Sequence, residues 1–246
     1  MEMKTKVYLI RHGETDNNVA HRFMGRTDMP LNDRGLDQAK CLGRALLKVE
    51  FDRIYASPYL RAFMTAEQVR GNRDIEIVKD LGLCEIDLGQ WEGFIREEIE
   101  VKWPGMIELW QRQPDKLEIP DGETFKQVQD RAFSSFKQIV AQERGKTIAI
   151  ATHMLTIQLL LARLLSIPIA EVWNMNRLDN TSVTVLDLYE NNDFEIVSWG
   201  DDTHLPDELK NSFVRIAGVV QNEHDAKYDA SYDASRMEGR YHFSDQ

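Results

Sequence analysis

The stretch from Thr147 to Leu165 constrains the fold more than any other. It opens with the apolar run Thr147 to Ala151, passes through Thr152-His153, and continues from Leu155 to Leu165 as a segment apolar almost all round. A helix with no polar face has to be covered on every side. One that follows directly on an apolar strand is expected to lie behind a central strand of a sheet. Further strand candidates are Lys6 to Ile10, Arg53 to Ala56, Ile75 to Val78, Ser182 to Leu188 and Phe194 to Trp199. Between them, Leu36, Ala39, Gly43, Leu46 and Leu47 recur at helical spacing after a cap at Asn32, and Phe125, Val128, Ala132, Phe136, Ile139 and Val140 do the same. The alternation predicts an α/β fold, a three-layer α/β/α sandwich whose mixed, mostly parallel sheet carries helices on both faces. Glu190-Asn191-Asn192-Asp193 has the chemistry of a hairpin turn, so the sheet is expected to end in an antiparallel pair.

Composition narrows the function. A chain of 246 residues can bury a full core, and 30 Lys+Arg against 41 Asp+Glu give a formal net charge of −11. Such a field repels phosphate backbones and anionic lipid, which argues against nucleic acid and membrane partners. An anionic ligand must then be held by a local basic pocket. The apolar segment Val7 to Ile10 is too short for a signal peptide, and the only cysteines are Cys41 and Cys84, so a cytoplasmic location is expected. After about Leu205 the pattern decays. Pro206 to Val220 has the pattern of one more amphipathic helix. Gln221 to Gln246 is polar, contains the tandem Tyr228-Asp229-Ala230-Ser231 and Tyr232-Asp233-Ala234-Ser235, and shows no strand or long helix. Residues 206–246 thus read as a solvated extension, with a docked lid or partner segment as the alternative.

The chemistry gathers where strands end. Arg11-His12 follows the first strand, Ser57-Pro58-Tyr59-Leu60-Arg61 the second, Glu85 the third, and Thr152-His153 the fourth. Ligands of open α/β sheets bind beyond the carboxyl ends of the strands. If these strands are parallel neighbours, Arg11, His12, Arg61 and His153 converge on one rim that suits a small tetrahedral oxyanion. Phosphoryl transfer through a phosphohistidine needs this set: a neutral imidazole attacks phosphorus, and two guanidinium forks take up the spreading charge. A protonated Glu85 supplies the proton to the leaving group and then, ionised, accepts one from water. No metal or other cofactor is required. Singly these residues have ordinary explanations, a surface ion pair or a core histidine, and the constellation decides.

The same residues resemble a known family. Arg11 to Thr15, Ser57-Pro58 with Arg61-Ala62 and Thr65-Ala66, Glu85 to Gly93, Asp121 to Thr124, Thr152-His153, Asn180 to Thr184 and His204-Leu205 are similar in order and spacing to the histidine phosphatase superfamily, the phosphoglycerate mutase-like group. The resemblance covers about Lys6 to Leu205 and implies one domain over residues 1–205. It implies His12 as the phosphorylated nucleophile, Glu85 as general acid and base, and a phosphate pocket of Arg11, Asn18, Arg61 and His153.

Within the superfamily, the segment after Glu85 resembles the phosphatase branch that includes broad-specificity and alpha-ribazole phosphatases. Residues 85–100 carry only Arg96 as a cation, and Met24 stands where mutases place a threonine. The expected activity is therefore hydrolysis of small phosphorylated metabolites, a metal-independent phosphomonoesterase. A cofactor-dependent phosphoglycerate mutase and a non-catalytic phospho-ligand-binding or scaffold protein are the alternatives, and a homodimer is left open. Met154 departs from the glycine often found after the second histidine, which bears on substrate choice. The aromatic stretch Trp91, Phe94, Trp103, Met106, Leu109 and Trp110 reads either as a lid for a ring-bearing leaving group or as the core face of two short helices.

Overall fold

A computed structural model describes residues 3–210 and 239–243. Seven strands form one mixed sheet in the order β3-β2-β4-β1-β5-β6-β7. They are β1 (Lys4–Arg11), β2 (Arg53–Ala56), β3 (Ile77–Lys79), β4 (Thr147–Thr152), β5 (Val183–Tyr189), β6 (Asp193–Asp201) and β7 (Tyr241–His242). The helices are α1 (Asp16–Val19), α2 (Asp33–Ala45), α3 (Leu60–Arg70), α4 (Arg96–Lys102), α5 (Met106–Arg112), α6 (Phe125–Gln142) and α7 (Met154–Leu164). β1, β4, β2 and β3 run parallel, and β5, β6 and β7 pair antiparallel. The expected mixed α/β sheet is what the chain forms, with its three parallel pairings among β1, β4, β2 and β3 and three antiparallel ones from β1 outward to β5, β6 and β7.

Two apolar layers follow from the period of two along each strand. Val7 and Leu9 of β1 and Ile148 and Ile150 of β4 face α6 and α7, whereas Ile10, Ala149 and Ala151 face α2 and α3. Small alanines on the second face let those helices sit close to the sheet. α7 is buried along nearly its whole length, as the apolar run from Leu155 requires. Asn32 caps α2 by accepting from the Gly35 N–H, and Thr124 caps α6 with a capping box to Gln127. The hairpin between β5 and β6 places Asn192 at φ 64°, a conformation asparagine tolerates.

The C-terminal extension corrects one expectation. Tyr241–His242 is a strand, paired with Phe194 and Asp193 of β6. Its anchor is Phe243, buried against Phe133 and Phe194. A two-residue strand has no readable period, so a polar stretch with aromatics spaced along it looks solvated until the core that receives Phe243 is known. Residues 206–210 form a turn in which the Leu209 and Lys210 N–H groups donate to the Pro206 carbonyl. The rest of the helix expected over 206–220, and the tandem Tyr-Asp-Ala-Ser repeat, lie outside the described residues. Phe243→Ala is expected to lower stability by about 3 kcal/mol through loss of buried aromatic area, measured as a shift in the urea unfolding midpoint. No helix among the described residues is long and apolar enough to cross a membrane.

Candidate active site

The parallel pairing of β1, β4 and β2 brings their carboxyl ends to one rim. Arg11 lies opposite Thr152, the His12 N–H donates to the Thr152 carbonyl at 3.0 Å, and the Ser57 N–H donates to the Ala151 carbonyl at 2.9 Å. Four of the expected residues, Arg11, His12, Asn18 and Glu85, line one cavity of about 130 Å³. Arg61 and His153 are wholly buried and stand outside its lining, with the His153 ring 5.2 Å from that of His12.

His12 is oriented by its neighbour. Its Nδ1 lies 2.7 Å from the Gly13 carbonyl, which can only accept, so Nδ1 carries the proton and Nε2 keeps its lone pair. Burial, and then the charges of Arg61 and Arg11, hold the ring well below the ordinary histidine range. The imidazole is therefore neutral at neutral pH, the state a nucleophile needs. The His12 carbonyl accepts from Asn180 Nδ2 at 2.9 Å and from the Thr181 N–H at 3.3 Å, which fixes the backbone beneath the ring.

The cations around it are only partly satisfied. One terminal nitrogen of Arg11 donates to the Leu178 carbonyl at 2.6 Å, and burial followed by the charge of Arg177 pushes this guanidinium down to about 10. Arg61, from the first turn of α3, donates to the Gly25 and Thr27 carbonyls at 2.6 and 2.9 Å. Arg11 Nε, Arg61 Nε and His153 Nδ1 are buried with no hydrogen-bond partner. Each such orphan costs about 1–3 kcal/mol.

Glu85 is held at the start of α7. Its Oε1 accepts from the Ile86 N–H at 2.9 Å and lies 3.2 Å from the Thr156 hydroxyl, while Oε2 accepts from the Leu155 N–H at 3.3 Å. Burial nevertheless pushes its carboxyl above the ordinary range, against the Ile86 N–H and the charge of Arg61. A carboxyl shifted upward holds its proton closer to neutrality, which suits a general acid.

Sequence reasoning missed the residue that holds this loop. Arg131 of α6 donates to the Gly82, Cys84 and Glu85 carbonyls at 3.0, 2.6 and 3.0 Å and grips both oxygens of Glu123 at 2.9 Å. Burial opposes ionisation of Glu123, but Arg131 and the Asp87 N–H outweigh it and hold its carboxyl below the usual range. Asp121 to Thr124 therefore acts by stapling the Glu85 loop to α6. An arginine at a helix face with Glu nearby in sequence looks like a solvated pair, and nothing in the sequence distinguishes it.

Asn18 accepts through Oδ1 from the Thr15 N–H and hydroxyl, each at 3.1 Å, in the capping box of α1. In the aromatic stretch, Trp91 is fully buried and Phe94, Trp103, Met106, Leu109 and Trp110 pack against the core, as the core reading expects, while Trp110 also joins Phe23 and Trp173 in the cavity wall. Met24 and Met154 complete the apolar side.

The comparisons with known proteins agree with this geometry. The model of the Histidine phosphatase superfamily (branch 1) matches residues 7–202. Phosphoserine phosphatase 1 of Hydrogenobacter thermophilus is 30% identical over 185 residues, 75% of this chain and 87% of that protein. The metal-independent phosphoserine phosphatase of Arabidopsis thaliana is 31% identical over 204 residues, 82% of this chain and 83% of that one. Among solved structures, Bacillus stearothermophilus YhfR superposes with a TM-score of 0.79 at 38% identity, covering 81% of this chain and 98% of its own. The chain belongs to branch 1 of the histidine phosphatase superfamily and is a phosphomonoesterase.

Proposed function

We propose that the protein hydrolyses small phosphate monoesters through a phosphohistidine on His12 Nε2. The observation that carries this reading is the neutral, Nδ1-protonated imidazole beside three unpartnered buried polar atoms, Arg11 Nε, Arg61 Nε and His153 Nδ1. The Nε2 lone pair attacks phosphorus, the bond from phosphorus to the ester oxygen breaks, and Glu85 gives that oxygen its proton. Water then attacks the phosphohistidine, Glu85 takes the proton from it, and the phosphorus–nitrogen bond breaks to restore the imidazole. Charge on the three equatorial oxygens is taken up by Arg11 and Arg61. Ser57 Oγ lies 2.8 Å from His153 Nε2, and in the tautomer in which the hydroxyl donates to Nε2, His153 Nδ1 carries a proton for the same phosphoryl group. Asn18, its Oδ1 already used in the cap, offers its amide N–H groups.

The leaving group meets Phe23, Trp110, Trp173, Met24 and Met154. Arg22 at the same wall already donates to the Gly93 carbonyl at 2.6 Å and lies 3.5 Å from Glu98. A cavity of this lining favours apolar or ring-bearing esters over those with a second charged group. Steady-state phosphate release is expected to give an aryl or apolar alkyl phosphate at least about tenfold higher kcat/KM than phosphoserine, the gain of one or two buried methylene equivalents. A preference for phosphoserine would overturn the substrate reading. Isomerisation of 3-phosphoglycerate stimulated by bisphosphoglycerate would replace hydrolase by mutase, and phosphate binding without turnover would replace enzyme by binder.

A further inference from the structure

His12 is oriented by a carbonyl, and that carbonyl belongs to a peptide that is itself held from the other side. The Gly13 carbonyl and the Glu14 N–H are two ends of one planar peptide unit. The first accepts the His12 Nδ1–H, and the second donates to Gln38 Oε1 at 2.9 Å. The other end of the same Gln38 amide, Nε2, donates to the Leu209 carbonyl at 2.9 Å. The geometry points to Gln38 as a positioning residue of the nucleophile, and to the segment around Leu209, beyond the end of the family match at residue 202, as the group that completes the relay. This inference rests on His12 being the nucleophile.

Several observations converge on it. Gln38 is fully buried, so its amide has no water to satisfy it and must choose these two partners. Its orientation is determined, because rotating the amide by half a turn would set an N–H against the Glu14 N–H and an oxygen against the Leu209 carbonyl. α2 is brought up to the peptide by Gly35, where a Cβ would stand 2.1 Å from the Glu14 carbonyl oxygen. Gln38 follows three residues later on the same face. The Leu209 carbonyl is held in place by Arg34, whose terminal nitrogens donate to the Glu208 and Lys210 carbonyls at 2.5 and 2.7 Å while its Nε lies 3.4 Å from Glu14 Oε2.

The dipoles of this chain all point the same way. The Gln38 N–H leads to the Leu209 carbonyl, the Glu14 N–H to Gln38 Oε1, and the His12 Nδ1–H to the Gly13 carbonyl, so each bond polarises the next. The consequence at the reacting atom is twofold. The imidazole is held to the tautomer with a free Nε2, and the peptide that aims it is held against rotation.

The test uses the full chain carrying Gln38→Leu, similar in size and able to make neither bond, beside Gln38→Glu, which keeps the acceptor for Glu14 but loses the donor to Leu209. Two readouts are taken: the nitrogen-15 shifts of the His12 ring, which separate the Nδ1–H from the Nε2–H tautomer without turnover, and kcat and KM for an aryl phosphate. Expected for Gln38→Leu is a mixture of tautomers and a kcat lower by about 10- to 100-fold, the effect of a small misplacement of a reacting group, with KM within about twofold. Gln38→Glu is expected to retain the Nδ1–H tautomer and a kcat between the two. A folded Gln38→Leu protein with wild-type tautomer and kcat overturns the proposal, as do two variants indistinguishable from each other. Should Gln38→Leu fail to fold, Gln38→Asn, which withdraws the amide by one methylene, takes its place with the same readouts. Because the tautomer is read in resting protein, a failure here is distinct from a failure of the phosphohistidine reading, which His12→Ala addresses.

Discussion

His12→Ala is expected to lower kcat/KM for any phosphate monoester by at least about 10⁴-fold, because no covalent intermediate can form and the residual donors act alone. The measurement is phosphate release, together with alkaline quenching of enzyme mixed with phosphorus-32-labelled substrate, followed by separate acid and base treatment of the labelled protein. Wild-type protein should carry a label that is stable to base and lost in acid, as a phosphorus–nitrogen bond is, and the variant should carry none. Loss of fold is an unsuitable explanation for such a result if the far-ultraviolet spectrum and unfolding midpoint are retained. Retention is expected, since burial, and then the charges of Arg61 and Arg11, hold the ring neutral, so that its removal strands no buried counter-charge. Aryl phosphate hydrolysis surviving at near wild-type rate in His12→Ala would reject the nucleophile assignment outright.

Glu85→Gln carries the second large effect, and its size depends on the substrate. An amide cannot protonate a departing oxygen, so an alkyl phosphate with a basic leaving group should lose about 10²- to 10⁴-fold in kcat. A nitrophenyl phosphate, whose leaving group departs without help, should lose much less in the phosphorylation step. The pH dependence follows from the two shifted groups. Phosphorylation needs Glu85 protonated and His12 neutral. Burial raises the Glu85 carboxyl above its ordinary value, so activity falls on the alkaline side as pH rises through that raised value. His12 is held well below its ordinary value, so the acid limb lies on the acid side of normal histidine titration. Glu85→Gln should remove the alkaline limb and leave the acid one. Equal losses for both leaving groups, or an unchanged alkaline limb, would exclude Glu85 as the acid.

Much of this was legible in the sequence because the relevant signals are local. A strand with a period of two, a cap at Asn32 and an apolar helix from Leu155 each announce themselves within a few residues. Strand exits read to within a few residues suffice to place Arg11, His12, Glu85 and His153 near one rim. The third strand shows the limit. Its expected span, Ile75 to Val78, is realised as Ile77–Lys79, since a short edge strand takes its register from β2 rather than from its own pattern.

What the sequence could not show is of another kind. Arg131 reaches Glu85 from 46 positions away, and Gln38 reaches Leu209 across 171. Both are polar residues on amphipathic helices, and a polar residue there reads as solvated by default. Only the packing of α6 and α2 against the rim turns them inward. Phe243 likewise gains its meaning from the aromatic neighbours Phe133 and Phe194, contributed by distant elements. The Trp91 to Trp110 stretch packs against the core and gives Trp110 to the cavity wall for the same reason.

The sequence by itself thus determined the layered α/β architecture, the strand exits and the residues that meet there, because periodicity and motif spacing are properties of neighbouring positions. The tertiary structure alone decided which nitrogen of His12 is free, which buried donors are left unpartnered, and what holds the Glu85 loop and the Gly13–Glu14 peptide. Those depend on hydrogen bonds and burial between residues far apart in the chain, and a proton on a ring nitrogen is placed by the group that faces it.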